Sequence, residues 1–228
     1  MRAKLGLPQL APTRRDAPVA PAPSDHSVRI ARASRIWDEA RDPHGTVVES
    51  YLASRGLELP QGADVLRYHP RCPWRDQDRA ETIRVPAMVA CMRAIDGDVI
   101  AGVHRTRLTD AGVKVDRRML GIAAGSAIKL DPDTDVTEGL AIGEGIETVL
   151  AARALGFRPA WALASAGAVA GFPVLPGVEA ITLLGENDVA NARAIGQCAE
   201  RWHAAGREVM IVTPTIGSDL NDAMRGAA

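Results

Sequence analysis

The spacing of apolar residues changes twice along this chain. In residues 28–40, Ile30, Ala33 and Trp37 recur near helical spacing, which predicts a helix. A second helix is expected over residues 45–55, closed by Gly56 and Pro60. From Arg67 to Leu130 the pattern shortens to strand-length segments. Two of them, residues 86–93 and 99–108, flank Asp96-Gly97, a pair that tolerates the positive φ angles of a tight hairpin. After Leu140 the rhythm becomes strand and helix in alternation. Residues 140–143, 160–163, 178–184 and 208–212 read as strands, and residues 146–155 and 190–205 as helices. That alternation predicts an α/β fold with a mainly parallel four-stranded sheet flanked by helices. Ligands of such sheets bind beyond the carboxyl ends of the strands.

Composition divides the chain further. Residues 1–27 are rich in proline, alanine and arginine and read as a disordered tail. The acidic, turn-forming tract DPDTDVTE at 131–138 marks a boundary. The expected organisation is therefore a tail at 1–27, a smaller α+β subdomain at 28–135, and the parallel-sheet domain at 136–228. With 228 residues, 46% of them hydrophobic, the chain can bury such a core. No apolar run approaches the ~18 residues of a membrane span, and the first twenty residues lack the apolar stretch of a secretory signal. Cys72, Cys91 and Cys198 are widely separated and odd in number, which points to a reducing cytoplasm and not to a disulfide framework. Residues 139–228 carry six Lys+Arg against nine Asp+Glu, so negative charge gathers where the parallel sheet is expected. Elsewhere cations slightly exceed acids, and all but Lys4, Lys114 and Lys129 are arginines. This balance permits a nucleotide or nucleic-acid partner without requiring one.

The acids fall at telling places. Gly143-Glu144-Gly145-Ile146-Glu147 follows the first strand of the alternating part, Gly185-Glu186-Asn187-Asp188 the third, and Gly217-Ser218-Asp219-Leu220-Asn221-Asp222 comes soon after the fourth. Apolar strands thus deliver carboxylates to one sheet edge three times. Crowded carboxylates repel, so near neutral pH they need a cation or raised pKa values. An all-oxygen set favours Mg²⁺ or Mn²⁺. Each acid also has a plainer reading: Glu144 and Glu147 as first-turn acids favoured by the helix dipole, Glu186 and Asp188 as a helix cap and its neighbour, Asp219 and Asp222 as a solvated turn. Three clusters at equivalent strand ends favour the metal for Glu144, Glu186 and Asp188, while Glu147 stays open. In GVHRTRLT, period-two alternation places Arg105 and Arg107 on one face and His104 and Thr106 on the other, suiting either a solvated or a phosphate-contacting face. His69, Cys72 and Cys91 lack a fourth partner for zinc and read as a proline-flanked turn and core thiols. GIAAGSAIK lacks the Gly-Lys-Ser/Thr ending of a P-loop.

The Glu-Gly pair after one strand, the acid-x-acid after another and the third acidic turn resemble the TOPRIM domain of bacterial-type primases, topoisomerases and some nucleases. The stretches EGIETVLAA, SAGAVAGFPVLPGV, GENDVANARA and GREVMIVTP…GSDLNDAM resemble the primase-type TOPRIM proteins of phages, plasmids and integrated elements. GTVVESYLASRGLELP, LRYHPRCPW and GVHRTRLTDAGVKVDRRMLG extend the likeness to residues 28–224. The resemblance implies metal-dependent primer synthesis from NTPs on single-stranded DNA, with phosphodiester hydrolysis or a non-catalytic replication module as alternatives. It assigns Glu144 as acid/base or metal-organising carboxylate, Glu186 and Asp188 as metal ligands, and Asp219 and Asp222 as support for a second Mg²⁺ or Mn²⁺. Arg105, Arg107, Arg118 and Lys129 correspond to basic positions lining a nucleotide and template groove, expected to face the acids across a cleft. A replicative helicase or a zinc-binding partner would act with it. Glu186 stands where the family usually has Asp, and the Cys/His zinc domain that often begins such primases is not seen in this sequence. A topoisomerase is disfavoured, since only Tyr51 and Tyr68 are present, both in the first half.

Overall fold

The computed structural model describes residues 25–61, 64–75 and 81–226; the expected tail at 1–27 lies almost wholly outside them. The chain begins with α1 (Asp25–Glu39) and α2 (Val47–Ser54). Four antiparallel strands follow: β1 (Leu66–Arg75), β2 (Thr82–Ala94), β3 (Ile100–Leu108) and β4 (Lys114–Gly121). The short β5 (Ser126–Lys129) leads to β6 (Gly139–Gly143), α3 (Ile146–Ala154), β7 (Ala160–Ala162) and α4 (Ala166–Ala170). The chain then forms β8 (Ala180–Leu184), α5 (Val189–Ala204), β9 (Glu208–Val212) and α6 (Leu220–Gly226).

The expected parallel sheet is present as β7-β6-β8-β9. It is one end of a continuous nine-stranded sheet ordered β4-β3-β2-β5-β7-β6-β8-β9, with β1 also on β2. β5 is the joint, antiparallel to β2 on one side and to β7 on the other. Pro70 and Pro73, read from sequence as a turn, instead lie within β1, where the register against β2 shifts between His69 and Cys72. A bulge is where a strand tolerates proline, because a ladder donor is missing there anyway.

Alternation along the strands sorts side chains into two layers. On one face, Met88, Ala90 and Met92 of β2, Leu108 of β3 and Ile128 of β5 pack with Val48, Tyr51 and Leu52 of α2 and Val149 and Leu150 of α3. Leu220 of α6 joins that cluster, and Arg55 and Asn221 exchange two hydrogen bonds, of 2.7 and 2.8 Å, between α2 and α6. On the other face, Ala33, Ile36 and Trp37 of α1 cover Ala87, Val89, Cys91 and Val103. Farther along that face, Ile195, Cys198 and Trp202 of α5 pack on Ile142, Ile181 and Leu183, with Phe172 stacked against Trp202 at 6.2 Å. Arg93 pairs with Ala127, which puts the α1 and α5 clusters on the same face. The first core draws on both halves of the chain, so the antiparallel strands and the parallel sheet share one interior. No helix among the described residues is long and apolar enough to cross a membrane.

Candidate metal and nucleotide site

The carboxyl ends of β6, β8 and β9 lie in register, with Gly143 opposite Leu184 and Leu184 opposite Val212. Glu144, Glu186 and the loop carrying Asp219 therefore emerge at one edge of the parallel sheet. Asn191, fully buried in the first turn of α5, links two of these points. Its side-chain oxygen accepts the Glu186 N–H at 2.9 Å, and its amide nitrogen lies 3.5 Å from Glu144 Oε2. Asn187 ties the loop after β8 to the loop after β9, donating to the Gly217 carbonyl at 2.7 Å while its N–H donates to that of Ser218 at 2.8 Å. Gly145 keeps the edge open: a Cβ there would lie 3.0 Å from Thr148 Oγ1 and 3.2 Å from Glu186 Oε1.

Charge accumulates at this edge. Burial raises the Glu186 carboxyl above its usual range, and Glu144, Asp219 and Asp188 raise it further, against the lowering effect of the Thr148 hydroxyl, which donates to Glu186 at 3.0 Å. A carboxyl raised by burial and by neighbouring negative charge is what a bound cation would relieve. The donors are all oxygen, which fits a hard divalent ion. Among the described residues, however, no three acids, imidazoles or thiols already close on one point. Several of these carboxylates are held instead by local hydrogen bonds. Asp188 caps α5 by accepting the Asn191 N–H at 2.8 Å, and Asp219 accepts the Asp222 N–H at 2.8 Å. Asp222 accepts from the Ser218 hydroxyl, which holds its carboxyl below the ordinary range, and lies 3.7 Å from Arg55. Glu147 turns away from the edge and into the protein. Its carboxylate accepts from Tyr51 and pairs with Lys114 at 2.8 Å. Burial opposes its ionisation, but Lys114 and Tyr51 outweigh that and hold it down at about 2.

The cations are arranged otherwise than expected. Arg105 and Arg107 pair with Val89 and Ala87, residues of the face under α1, so their side chains stand on that face. There Arg105, itself buried, donates to the Pro73 carbonyl at 2.8 Å, and it and Arg118 lie 5.3 and 5.0 Å from the Trp74 ring centroid. Both line a cavity of about 500 Å³ with Arg32, Arg35, Arg75 and Arg84, with Glu39 the acid among them. Lys129 pairs with Trp161 on the α5 face and is buried, donating to Gly97 O at 2.9 Å and pairing with Asp133 at 2.6 Å. None of these four faces the acids. Other cations reach acids of this edge: Arg117 lies 3.7 Å from Glu144 and Arg55 3.7 Å from Asp222, while Lys114 pairs with the inward-turned Glu147. Arg117 lies opposite Thr106, so the His104–Thr106 face is the one turned toward α3. His104 is buried there, and burial pushes its imidazole down to about 4, so it is neutral. Cys72 and Cys91 are core thiols with pKa raised by burial, and His69 lies 3.3 Å from Glu39.

A Toprim domain model matches residues 139–228, and a domain of unknown function (DUF7146) matches residues 27–130. No curated protein matches the sequence. Among solved structures, a DNA primase domain from Pseudomonas aeruginosa is 16% identical with a TM-score of 0.59, the match covering 86% of this chain and 74% of that one. The Aquifex aeolicus primase, comprising zinc-binding and RNA polymerase domains, is 13% identical with a TM-score of 0.58 over 90% of this chain and 59% of that one. A DnaG primase catalytic domain bound to single-stranded DNA is 15% identical with a TM-score of 0.58, over 88% and 76%. The Glu144 loop, the three strand ends in register and these matches identify residues 139–228 as a Toprim domain within a chain that has the fold of DNA primase domains.

Proposed function

We propose that the chain is a primase-like nucleotidyltransferase core that joins NTPs on single-stranded DNA. The observation that carries this reading is the edge where Glu144, Glu186, Asp188 and Asp219 emerge, with Arg117 3.7 Å from Glu144 and the Glu186 carboxyl raised by burial and then by its acidic neighbours. In the reaction, the 3′-hydroxyl of one nucleotide attacks the α-phosphate of the next, and pyrophosphate leaves. Glu144, Glu186 and Asp188 would hold Mg²⁺ or Mn²⁺, with Asp219 and Asp222 beside a second ion. Bound there, such ions supply activation of the attacking oxygen and neutralise triphosphate charge. Arg117, half-exposed beside Glu144, would offer the triphosphate a guanidinium suited to paired contacts with phosphate oxygens. Asn191 and Thr148 orient Glu144 and Glu186. The arginine-lined cavity under α1 offers positive charge for the DNA backbone, a contact that positions without reading sequence. In this reading residues 28–135 carry the template and residues 136–228 the reaction.

The test is to incubate the protein with single-stranded DNA and labelled NTPs in Mg²⁺ or Mn²⁺. Short NTP-derived products support the reading. Cleavage of labelled DNA with no NTP incorporated would replace it with phosphodiester hydrolysis, and DNA binding without turnover would leave a non-catalytic module.

A further inference from the structure

Two carboxylates three residues apart, Glu144 and Glu147, meet two cations three residues apart on β4, Lys114 and Arg117. The two contacts differ in kind. Arg117 and Glu144 are 3.7 Å apart, and the Arg117 side chain is 49% exposed. The pair is loose enough for Arg117 to exchange partners. Lys114 and Glu147 are 2.8 Å apart, the Glu147 side chain is 10% exposed, and Tyr51, itself buried, donates a further hydrogen bond to the same carboxylate. Three elements converge on this one group: α2 through Tyr51, β4 through Lys114 and α3 through Glu147. On its other face β4 meets α1, with Leu120 packed against the α1 cluster. It is an edge strand paired only with β3, and Val115 and Met119 stand exposed on it. Glu147 sits in the first turn of α3, three residues beyond Glu144 at the end of β6.

We propose that Glu147, held by Tyr51 and Lys114, is a positioning residue that clamps β4 to α3 so that Arg117 faces Glu144. Arg117's contact with phosphate rests on the nucleotidyltransferase reading, but the clamp itself does not. Glu147 touches no reacting atom; it acts through the placement of Arg117.

The experiment has two arms. In the first, amide hydrogen exchange is compared in wild type, Glu147→Gln and Lys114→Gln. Exchange reports local opening of a segment. The clamp predicts that either substitution speeds exchange in β4 by about tenfold or more while β6 and β8 keep their protection. Unchanged β4 exchange, or equal acceleration everywhere, overturns it. The second arm is a double-mutant cycle on the KM for NTP, which measures coupling between sites. Arg117→Ala should raise KM about tenfold in the wild-type background and less than about twofold in Glu147→Gln. A full tenfold effect in both backgrounds overturns the clamp. If the wild type uses no NTP, the nucleotidyltransferase reading falls, and the exchange arm still decides the clamp by the same criteria.

Discussion

Replacing Asp131 by Asn should destabilise the fold by about 3 kcal/mol, because one buried carboxylate secures the joint between β5 and the parallel sheet. Asp131 is 1% exposed. Arg153 donates to it from two nitrogens at 2.9 and 2.8 Å, Arg158 donates from the other side at 3.1 Å, and the Ala160 N–H at the start of β7 donates at 2.9 Å. Breaking a buried ion pair by removing one partner costs ~3–5 kcal/mol, since the remaining charge is left uncompensated. The Arg153 side chain is 9% exposed and falls in that class. The Arg158 side chain is 54% exposed and adds at most ~1 kcal/mol. Asn keeps one acceptor but turns an amide N–H toward a guanidinium, which sets the estimate at the lower end. For a chain of this size, 3 kcal/mol corresponds to a melting temperature about 6–12 °C lower. The pH dependence follows from the sign. Burial alone would raise the Asp131 carboxyl, but the two guanidiniums outweigh it and hold the carboxyl below its usual value. Its contribution is therefore complete above about pH 4, the ordinary aspartate value, and is lost as pH falls through the lower folded value. Denaturant unfolding of both proteins at pH 7 and pH 3 measures this. A difference below about 1 kcal/mol at pH 7, or one that is equal at both pH values, would refute the argument.

Glu186→Gln should leave the melting temperature unchanged or slightly higher at pH 8, with the difference gone at pH 4. A raised carboxyl contributes stability when protonated and loses it as pH rises, so a drop of more than about 3 °C at pH 8 would contradict the charge argument. Lys129→Met should lower stability by about 1–3 kcal/mol through the orphaned Asp133 and Gly97 carbonyl, yet leave affinity for single-stranded DNA within about twofold. A large affinity loss would return Lys129 to the template groove. Arg84→Ala and Arg118→Ala should each weaken that binding and flatten its salt dependence by about 0.7 in log–log slope, as expected for one released counterion on a single strand. Unchanged slopes would leave the cavity as ordinary surface charge.

Much of this was legible because the parallel half is strongly periodic. The helix expected at 190–205 is α5, Val189–Ala204, and Ile195, Cys198 and Trp202 form the apolar stripe behind it. Glu144 and Glu186 could be placed at one edge because short apolar strands ending in Gly-Glu leave little freedom over where the acid emerges. The cations were less legible. Alternation separates Arg105 from His104, but which side meets α3 depends on how β3 pairs with β2 and where α1 packs. Lys129 sits in a four-residue strand buried along its whole length, which looks no different in sequence from an exposed one. Asn191 and Thr148 carried no signal by themselves, since an amide and a hydroxyl in first turns are commonplace. The small-residue helix α4, Ala166–Ala170, has too little apolar bulk for periodicity to show.

The metal centre proposed for the acids at the ends of β6 and β8 carries the functional reading. It is tested most directly by counting bound Mn²⁺ by electron paramagnetic resonance in wild type, Glu144→Gln and Asp188→Asn, with melting temperatures measured alongside. Wild type should bind Mn²⁺ and be stabilised by it, as mass action requires of any ligand bound only by the native state. Both variants should fold as well as wild type and lose the ion. Mn²⁺ binding that is equal in all three proteins, or absent from wild type while both variants melt far lower, would contradict it.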